Sequence, residues 1–500
     1  MSDQIRVQLS FGSLEGARSE SGVLVFKNIP FASAKRWQAP GPVESFDCSA
    51  RDPQSYGPAP IQPPPDPFWA KRSGELTEFP TDEDCLNLNI WVGDLDTPKK
   101  SVLFWIYGGS YIQGYNYKRG YLPENFVKAH PEVLVVAPNY RVGVLGSLNL
   151  SSLTNQEEYR FSNNLALLDL VEALRWTQRH ISAFTGDPEN VTLYGHSAGS
   201  NAISHLLVMP SARGLFTRAI AQSSYMTDLG TVALDTSEEI GKKVFELTGV
   251  HTLEEALALP AGQLLEAQKA LFHFKFGGSK ASKMFSPVAD GIIVMPDAFQ
   301  CFADGRINVR ELMIGGSQGE YDQMFLKKDL EESRRFVVER NADKRVTLED
   351  VQRFVALHPE MTEKEAVMTV HNDLGLCLGG EFIGRACAKH IPVYEYVFCL
   401  RDPEEGWRAL HGAPCNYVFG TVIPKGAPEQ LERQMMDTWA AFIRTGDPNH
   451  LGLPVWPRYR PDGPVMMIDA QWRLTDGYWK TDFSFWGPRF TEYALLKEGR

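Results

Sequence analysis

The chain has 500 residues, of which 43% are hydrophobic and 22% are charged, and its formal net charge is −12. A chain of this length and composition buries a large core and forms either one big α/β domain or two ordinary ones. The acidic balance argues against a nucleic-acid partner, because neutralising a phosphate backbone requires clustered lysines and arginines.

The chain begins with MSDQIRVQLS, which lacks the basic start and apolar core of a secretory signal. No apolar run in the sequence is long enough to form a transmembrane segment. We therefore expect a cytoplasmic protein. The seven cysteines are scattered and contain no C-x-x-C pair, so neither a disulfide framework nor a metal site is predicted.

At the N-terminus, IRVQLS and GVLVF (Gly22–Phe26) are rich in β-forming residues and flank a Gly-Ser-rich turn. This pattern predicts an antiparallel ribbon. Further along the chain, short apolar runs bounded by turn residues predict strands that are buried on both faces. These runs begin at Val102, Val133, Val191, Leu312 and Val393.

Helical patterns lie between these runs. The clearest is NLALLDLVEALRWTQRHI, in which apolar residues repeat at helical spacing from Leu167 to Leu174. Alternating strands and helices predict a mostly parallel central sheet flanked by helices. The polar, helix-prone stretches at roughly 236–310 and 325–385 are interpreted as helical insertions over this sheet.

One serine stands between two glycines in TLYGHSAGSN (Thr192–Asn201). The strand-forming VTLY precedes it and the helix-forming SNAISHLLV follows it. A strand, a tight turn and a helix around Gly-x-Ser-x-Gly are typical of a nucleophile elbow, in which the serine hydroxyl is exposed at a helix N-terminus. Ser197 is therefore the candidate nucleophile.

A nucleophilic serine requires a base, an acid that orients the base, and backbone donors for the oxyanion. In α/β-hydrolases the acid and then the histidine follow the serine in the chain. The N–H of Ala198 is one candidate oxyanion donor. The glycine-rich IYGGSY (Ile106–Tyr111), directly after a predicted strand, offers the others.

With these motifs, the sequence resembles the type B carboxylesterase and cholinesterase family of α/β-hydrolases over nearly its whole length. The resemblance implies one α/β-hydrolase domain over residues 1–500 that cleaves carboxylic esters. Its ordered blocks include FKNIPFA, RWQAP, EDCLNLNIW, FWIYGGSYIQG, PNYRVGVLG, the segment ending in GHSAGS, GLFTRAIAQS, HGAPCNYVFG and FIRTGDPN.

The resemblance also assigns roles to particular residues. Ser197 matches the family's nucleophile, His411 its general base and Glu320 its acid, while Asp322 is a rival for the acid. The implied oxyanion donors are the N–H groups of Gly109, Ser110 and Ala198. The implied partner is a small-molecule ester, and the implied chemistry needs no cofactor or metal.

The chain departs from the family pattern at four places. His196 stands where the family usually has Glu, and we expect its side chain to pack under the elbow, away from Ser197. Ser110 replaces a third glycine, and Tyr321 replaces a glycine after the acid. Cys85 matches a cysteine that secreted members bridge, but its partner is missing from GPAPIQ (57–62).

Two alternatives to ester hydrolysis remain open at this point. The same serine, histidine and acid support acyl transfer, lactonisation, cyclisation or elimination if the pocket excludes water. The family also contains adhesion proteins that lack the nucleophile and act as binding modules. Choline esters are not implied, because the family's cation-binding aromatic cannot be located in the divergent loop Pro63–Glu78.

Overall fold

The computed structural model describes residues 5–45, 52–75, 78–224, 230–274, 276, 283–490 and 492–497. A twelve-stranded sheet forms their centre. Its strands, numbered in chain order, are β1 (Ile5–Leu9), β2 (Gly12–Arg18), β3 (Leu24–Pro30), β4 (Asn87–Val92), β5 (Lys100–Ile106), β6 (Val133–Pro138), β7 (Gly186–His196), β8 (Arg218–Gln222), β9 (Glu311–Ser317), β10 (Val393–Phe398), β11 (Pro464–Ile468) and β12 (Arg473–Asp476).

The spatial order of the strands is β1-β2-β3-β4-β6-β5-β7-β8-β9-β10-β11-β12. The seven strands from β6 to β11 in this order are parallel to one another. The edges are antiparallel, with β1 to β4 on one side and β12 on the other. Such an order places the carboxyl ends of all the parallel strands at one edge of the sheet.

The α-helices follow the alternation that the sequence predicts. They are α1 (Pro67–Ser73), α2 (Glu124–Ala129), α3 (Gly143–Gly146), α4 (Leu165–His180), α5 (Ala198–Leu206), α6 (Leu234–Thr248), α7 (Leu253–Ala258), α8 (Ala261–Leu271), α9 (Ala298–Ala303), α10 (Leu330–Arg340), α11 (Leu348–Leu357), α12 (Glu363–Asn372), α13 (Leu378–Cys387), α14 (Ala413–Phe419), α15 (Leu431–Thr445), α16 (Lys480–Trp486) and α17 (Glu492–Lys497). A π-helical turn, Asp373–Cys377, joins α12 to α13.

The central strands are hydrophobic on both faces because helices cover both faces of a parallel sheet. Every residue of β4, β5, β6 and β10 is buried. The helix predicted from the apolar repeat is α4, and its buried residues include Leu167, Leu170 and Leu174. The predicted mostly parallel sheet with flanking helices is confirmed by these elements.

The N-terminal ribbon is antiparallel as predicted, but the segment predicted as a turn between its two strands is itself a strand. The Gly-Ser-rich segment is strand β2, which pairs with β1 on one side and with β3 on the other. Only Leu9–Gly12 forms the tight connection between β1 and β2. Leu14 and Ala17 of β2 are both buried, and β2 is held between two neighbouring strands.

None of the described helices is long and apolar enough to cross a membrane. Cys85 is buried and has a free thiol, so this residue does not form the bridge that the resemblance implies for secreted members.

His358, at the end of α11, is buried between two carboxylates. Its Nδ1 lies 2.8 Å from Glu360 Oε1, and its Nε2 lies 2.9 Å from Asp482 Oδ1 on α16. The interaction with Asp482 is the main cause that raises the pKa of His358 from 6.5 to about 8. The protonated histidine therefore stabilises the contact between α11 and α16.

This pKa shift predicts a pH-dependent stability. A histidine whose pKa is raised by folding stabilises the protein fully below the unfolded pKa, and this contribution is lost as the pH rises through the folded pKa. We expect His358→Gln to remove about 2 kcal/mol of unfolding free energy at pH 6 and much less at pH 9. Urea unfolding of the wild-type and His358→Gln proteins at both pH values measures this loss of unfolding free energy. The exposed His251→Gln is the control, and an equal loss at both pH values would contradict the assignment.

Candidate active site

Ser197 lies at the turn between β7 and α5 and has a strained backbone, with φ 58° and ψ −122°. Two glycines make the turn possible. A Cβ on Gly195 would lie 2.5 Å from the carbonyl oxygen of Gly199, and a Cβ on Gly199 would lie 2.1 Å from that of Ile106. No side chain is tolerated at either position without backbone movement, so the geometry is that of a nucleophile elbow.

The loop after β5 lies directly beside this turn. A Cβ on Gly108 would lie 2.8 Å from the Cβ of Ser197, so the two backbones are in close contact. Gly109 and Ser110 follow with φ of 136° and 57°. In the described part of the chain, the N–H groups of Gly109, Ser110 and Ala198 have no hydrogen-bond acceptor. Three unpaired backbone donors therefore lie near the serine.

His411 and Glu320 are in contact. His411 Nδ1 lies 2.5 Å from Glu320 Oε2. The other carboxylate oxygen, Oε1, accepts hydrogen bonds from the Ser317 N–H and the Ser223 hydroxyl, both at 2.7 Å. Glu320 is fully buried. The carboxylate is thus fixed on one side by the end of β9 and on the other by the imidazole, and Ser223 is a partner that the sequence analysis missed.

Asp322, the rival acid, is directed elsewhere. Its carboxylate accepts hydrogen bonds from Arg408 Nε at 2.7 Å and Nη2 at 2.8 Å, and from Asn372 Nδ2 at 2.9 Å. Both members of this ion pair are buried. The structure therefore brings Glu320, rather than Asp322, to His411. The sequence could not separate the two because they are only two residues apart.

His196 is buried, as expected, but it does not lie away from the site. Its ring centroid is 4.4 Å from that of His411, with an angle of 45° between the rings. Both ring nitrogens are buried and have no hydrogen-bond partner among the described residues. Burial, the positive charge of a protonated His411 and Lys118 all lower the pKa of His196 well below its usual value. His196 is therefore a neutral imidazole beside His411.

A cavity of about 1120 Å³ opens above these residues. Ser197, His196 and His411 line it together with the Gly108–Ser110 loop. Its wall contains several aromatic rings that the sequence analysis did not assign to the site. They are Phe68, Trp69, Tyr121, Tyr321, Phe398, Trp407 and Tyr417. No spacing rule links these positions, because they come from loops and helix ends far apart in the chain.

Comparisons with known proteins agree with this architecture. The sequence model of the carboxylesterase family matches residues 3–486. A para-nitrobenzyl esterase of Bacillus subtilis is 30% identical over 94% of this chain and 96% of its own length. Carboxylesterase 4A of Bos taurus is 28% identical over 95% of this chain and 93% of its own length. A solved carboxylesterase of Geobacillus stearothermophilus has a TM-score of 0.82 at 29% identity, covering 96% of this chain and 99% of that chain.

The sheet order and the elbow between β7 and α5 define an α/β-hydrolase, as the sequence predicts. The chain belongs to the carboxylesterase family, and it is a carboxylic ester hydrolase.

The neutral His196 generates a prediction about pH. A carboxylate within about 4–6 Å of an imidazole favours its protonated form and raises its pKa by about one to three units. We expect His196→Glu to move the acid limb of the pH dependence of kcat/KM upward by about one unit. Gln is neutral, like the buried histidine. In His196→Gln the acid limb should therefore lie at the same pH as in the wild-type protein. Initial rates with a simple ester across neutral pH measure both, and an unshifted limb in a folded His196→Glu protein would refute the charge argument.

Proposed function

We propose that the protein hydrolyses small-molecule carboxylic esters through an acyl-enzyme on Ser197, with His411 as general base and Glu320 as the acid that orients it. The observation that carries this proposal is the 2.5 Å contact between His411 Nδ1 and the buried Glu320, with Ser197 and His411 lining one cavity. Membership of the carboxylesterase family supports the same reaction class.

In the proposed reaction, His411 takes the hydroxyl proton as Ser197 attacks the ester carbonyl. The imidazolium then gives this proton to the alcohol oxygen as the alcohol leaves. Water, deprotonated by the same imidazole, attacks the acyl-enzyme and releases the acid. Glu320 holds the Nδ1 proton, which keeps Nε2 free to act as the base, and its negative charge stabilises the imidazolium.

The oxyanion is assigned to the N–H groups of Gly109, Ser110 and Ala198. Negative charge develops on the carbonyl oxygen in the transition state, and preorganised backbone donors stabilise it without reorganisation. The absence of other acceptors for these donors among the described residues supports the assignment. Ala198 is also the first residue of α5, where the helix dipole favours negative charge.

We also propose that the protein acts in the cytoplasm. The thiol of Cys85 is free and buried, whereas the resemblance to the family implies a bridge at this position in secreted members, and a free thiol fits a reducing compartment.

The nucleophile is tested by covalent labelling. An organophosphate or a sulfonyl fluoride should attach to Ser197 and abolish turnover of a p-nitrophenyl ester, because the label forms the same bond as the acyl group. Peptide mass mapping locates the label. Ser197→Ala should remove both the label and the turnover. The control Ser200→Ala, which changes the buried third residue of α5, should still be labelled. A label on another residue would disprove the nucleophile assignment.

The acid is tested with two neighbouring variants and two measurements. Glu320→Gln should lower kcat by about 10³ to 10⁴-fold with little change in KM, since the amide neither fixes the tautomer nor stabilises the imidazolium. Asp322→Asn should keep kcat per folded molecule within about tenfold. It should instead lower the unfolding free energy by about 3 kcal/mol, because it leaves Arg408 as a buried charge without its partner. An active Glu320→Gln protein beside a folded but inactive Asp322→Asn protein would assign the role of the acid to Asp322.

A further inference from the structure

The loop after β5 has an unusual backbone at the proposed oxyanion donors. Gly109, Ser110 and Tyr111 follow one another with φ of 136°, 57° and 58°. Glycine adopts a positive φ freely, but a Cβ makes this region unfavourable for other residues. Tyrosine also lacks the short polar side chain that eases this conformation in asparagine and aspartate. Two successive residues are therefore strained where the backbone N–H groups must point at one oxygen.

The side chain of Tyr111 is anchored outside this loop. Its hydroxyl donates a hydrogen bond to Asn201 Oδ1 at 2.8 Å, and both residues are buried. The Tyr111 carbonyl also accepts a hydrogen bond from the Gly143 N–H at 2.6 Å. A buried hydrogen bond is costly to break, because its groups cannot turn to water instead. These contacts therefore hold Tyr111 at its positive φ.

Asn201 lies in the first turn of α5, four residues after the candidate nucleophile. Its N–H donates a hydrogen bond to the Ser197 carbonyl at 2.9 Å. The hydrogen bond from Tyr111 thus joins the loop after β5 to the helix that begins beside Ser197. Two short links, one from the side chain of Asn201 and one from its backbone, fix Ser110 relative to the nucleophile.

Backbone donors accelerate a reaction only when they are directed at the oxyanion in advance. Without an anchor, a strained loop relaxes and turns the N–H groups of Gly109 and Ser110 away from that position. Neither Tyr111 nor Asn201 is among the described residues that line the cavity, so they do not touch the substrate. Their effect on the reaction has to pass through Ser110 and Ser197. This step rests on the proposed function.

We propose that Tyr111 and Asn201 are positioning residues, and that their buried hydrogen bond holds the Ser110 N–H in place for the oxyanion that forms when Ser197 attacks the ester. The pair acts on the transition state and not on binding of the intact ester, because the oxyanion exists only after the attack.

Substitution of either partner tests this proposal through kcat and KM. Tyr111→Phe removes the hydroxyl and keeps the ring, while Asn201→Leu removes the acceptor at similar size. Each should lower kcat for p-nitrophenyl acetate by about tenfold and leave KM within about twofold. The loss is smaller than the roughly 10² to 10³-fold effect of deleting an oxyanion donor, because the donor is still present but poorly oriented. Acylation and deacylation both pass through an oxyanion, so kcat falls whichever step is slower.

Two further measurements separate positioning from stability. Titration with an organophosphate counts the active sites, so that kcat refers only to folded protein. The double variant Tyr111→Phe with Asn201→Leu should have about the same kcat as either single variant, since both substitutions remove the same hydrogen bond. Each partner has its own variant, so if one variant fails to fold, the other decides.

An aryl trifluoromethyl ketone provides a readout of the oxyanion itself. Ser197 Oγ adds to the ketone carbonyl, the hydroxyl proton passes to His411, and the former carbonyl oxygen takes the negative charge. Affinity for this ketone should fall in each variant by about the same factor as kcat, because both depend on the same donors. The matching aryl methyl ketone is far less electrophilic and binds without this addition, so its inhibition constant should stay within about twofold.

Tyr459→Phe is the matched control. Tyr459 is also a buried tyrosine, its hydroxyl donates to Glu381 Oε1 at 2.8 Å, and it does not line the cavity. Its loss should lower stability and leave kcat per active site and the ketone affinity at their wild-type values.

The outcomes separate this proposal from the proposed function. Wild-type kcat per active site and wild-type ketone affinity in the folded variants of Tyr111 and Asn201 would overturn the positioning role and leave the proposed function intact. A ketone affinity that is the same in wild type and in Ser197→Ala would overturn the proposed function, and the positioning role with it.

Discussion

The strained backbone of Ser197 is the constraint on which the active site depends. A non-glycine residue at φ 58° and ψ −122° is unfavourable on its own and persists only where its surroundings enforce it. Here β7 ends one residue before Ser197, α5 begins one residue after it, and the Ser197 N–H donates to the Gln222 carbonyl of β8 at 3.0 Å. Close packing of Gly199 against the carbonyl of Ile106 holds α5 over the sheet. The core thus determines the position of the serine.

The proposed base and the proposed acid are positioned by the same sheet, through loops that follow adjacent parallel strands. Glu320 follows β9 and His411 follows β10, and these strands pair directly. The loops are joined by a hydrogen bond from the Gly319 N–H to the Ala409 carbonyl at 2.9 Å and by the buried ion pair of Asp322 with Arg408. A buried pair with this bidentate geometry holds two backbones in one register. Asp322 therefore positions the loop whose other carboxylate reaches His411.

The sequence predicts those features that depend on local patterns. Apolar runs locate the buried strands, the glycines around Ser197 locate the elbow, and the family blocks locate His411. It cannot predict contacts that depend on tertiary packing. Ser223 and Arg408 carry no motif, and their roles follow from the meeting of strand ends. The half-buried rings of Phe68 and Trp69 lie in the short helix α1, within a segment that diverges from the family, where no periodicity distinguishes a cavity wall from a surface.

Two residues that depart from the family pattern, Tyr321 and His196, both lie against the imidazole of His411. Tyr321 replaces a glycine, and its ring stacks on His411 with centroids 6.2 Å apart and an angle of 22°. The space for this ring exists because Gly375 lies in the π-helical turn, where a Cβ would be 2.5 Å from Tyr321 Cε2. His196 contributes a neutral ring to the same imidazole. His411 is thus surrounded by rings, and the carboxylate it contacts is that of Glu320. In the proposed mechanism, the electrostatic stabilisation of the His411 imidazolium therefore depends on Glu320 to a greater degree than in a site with Glu at position 196.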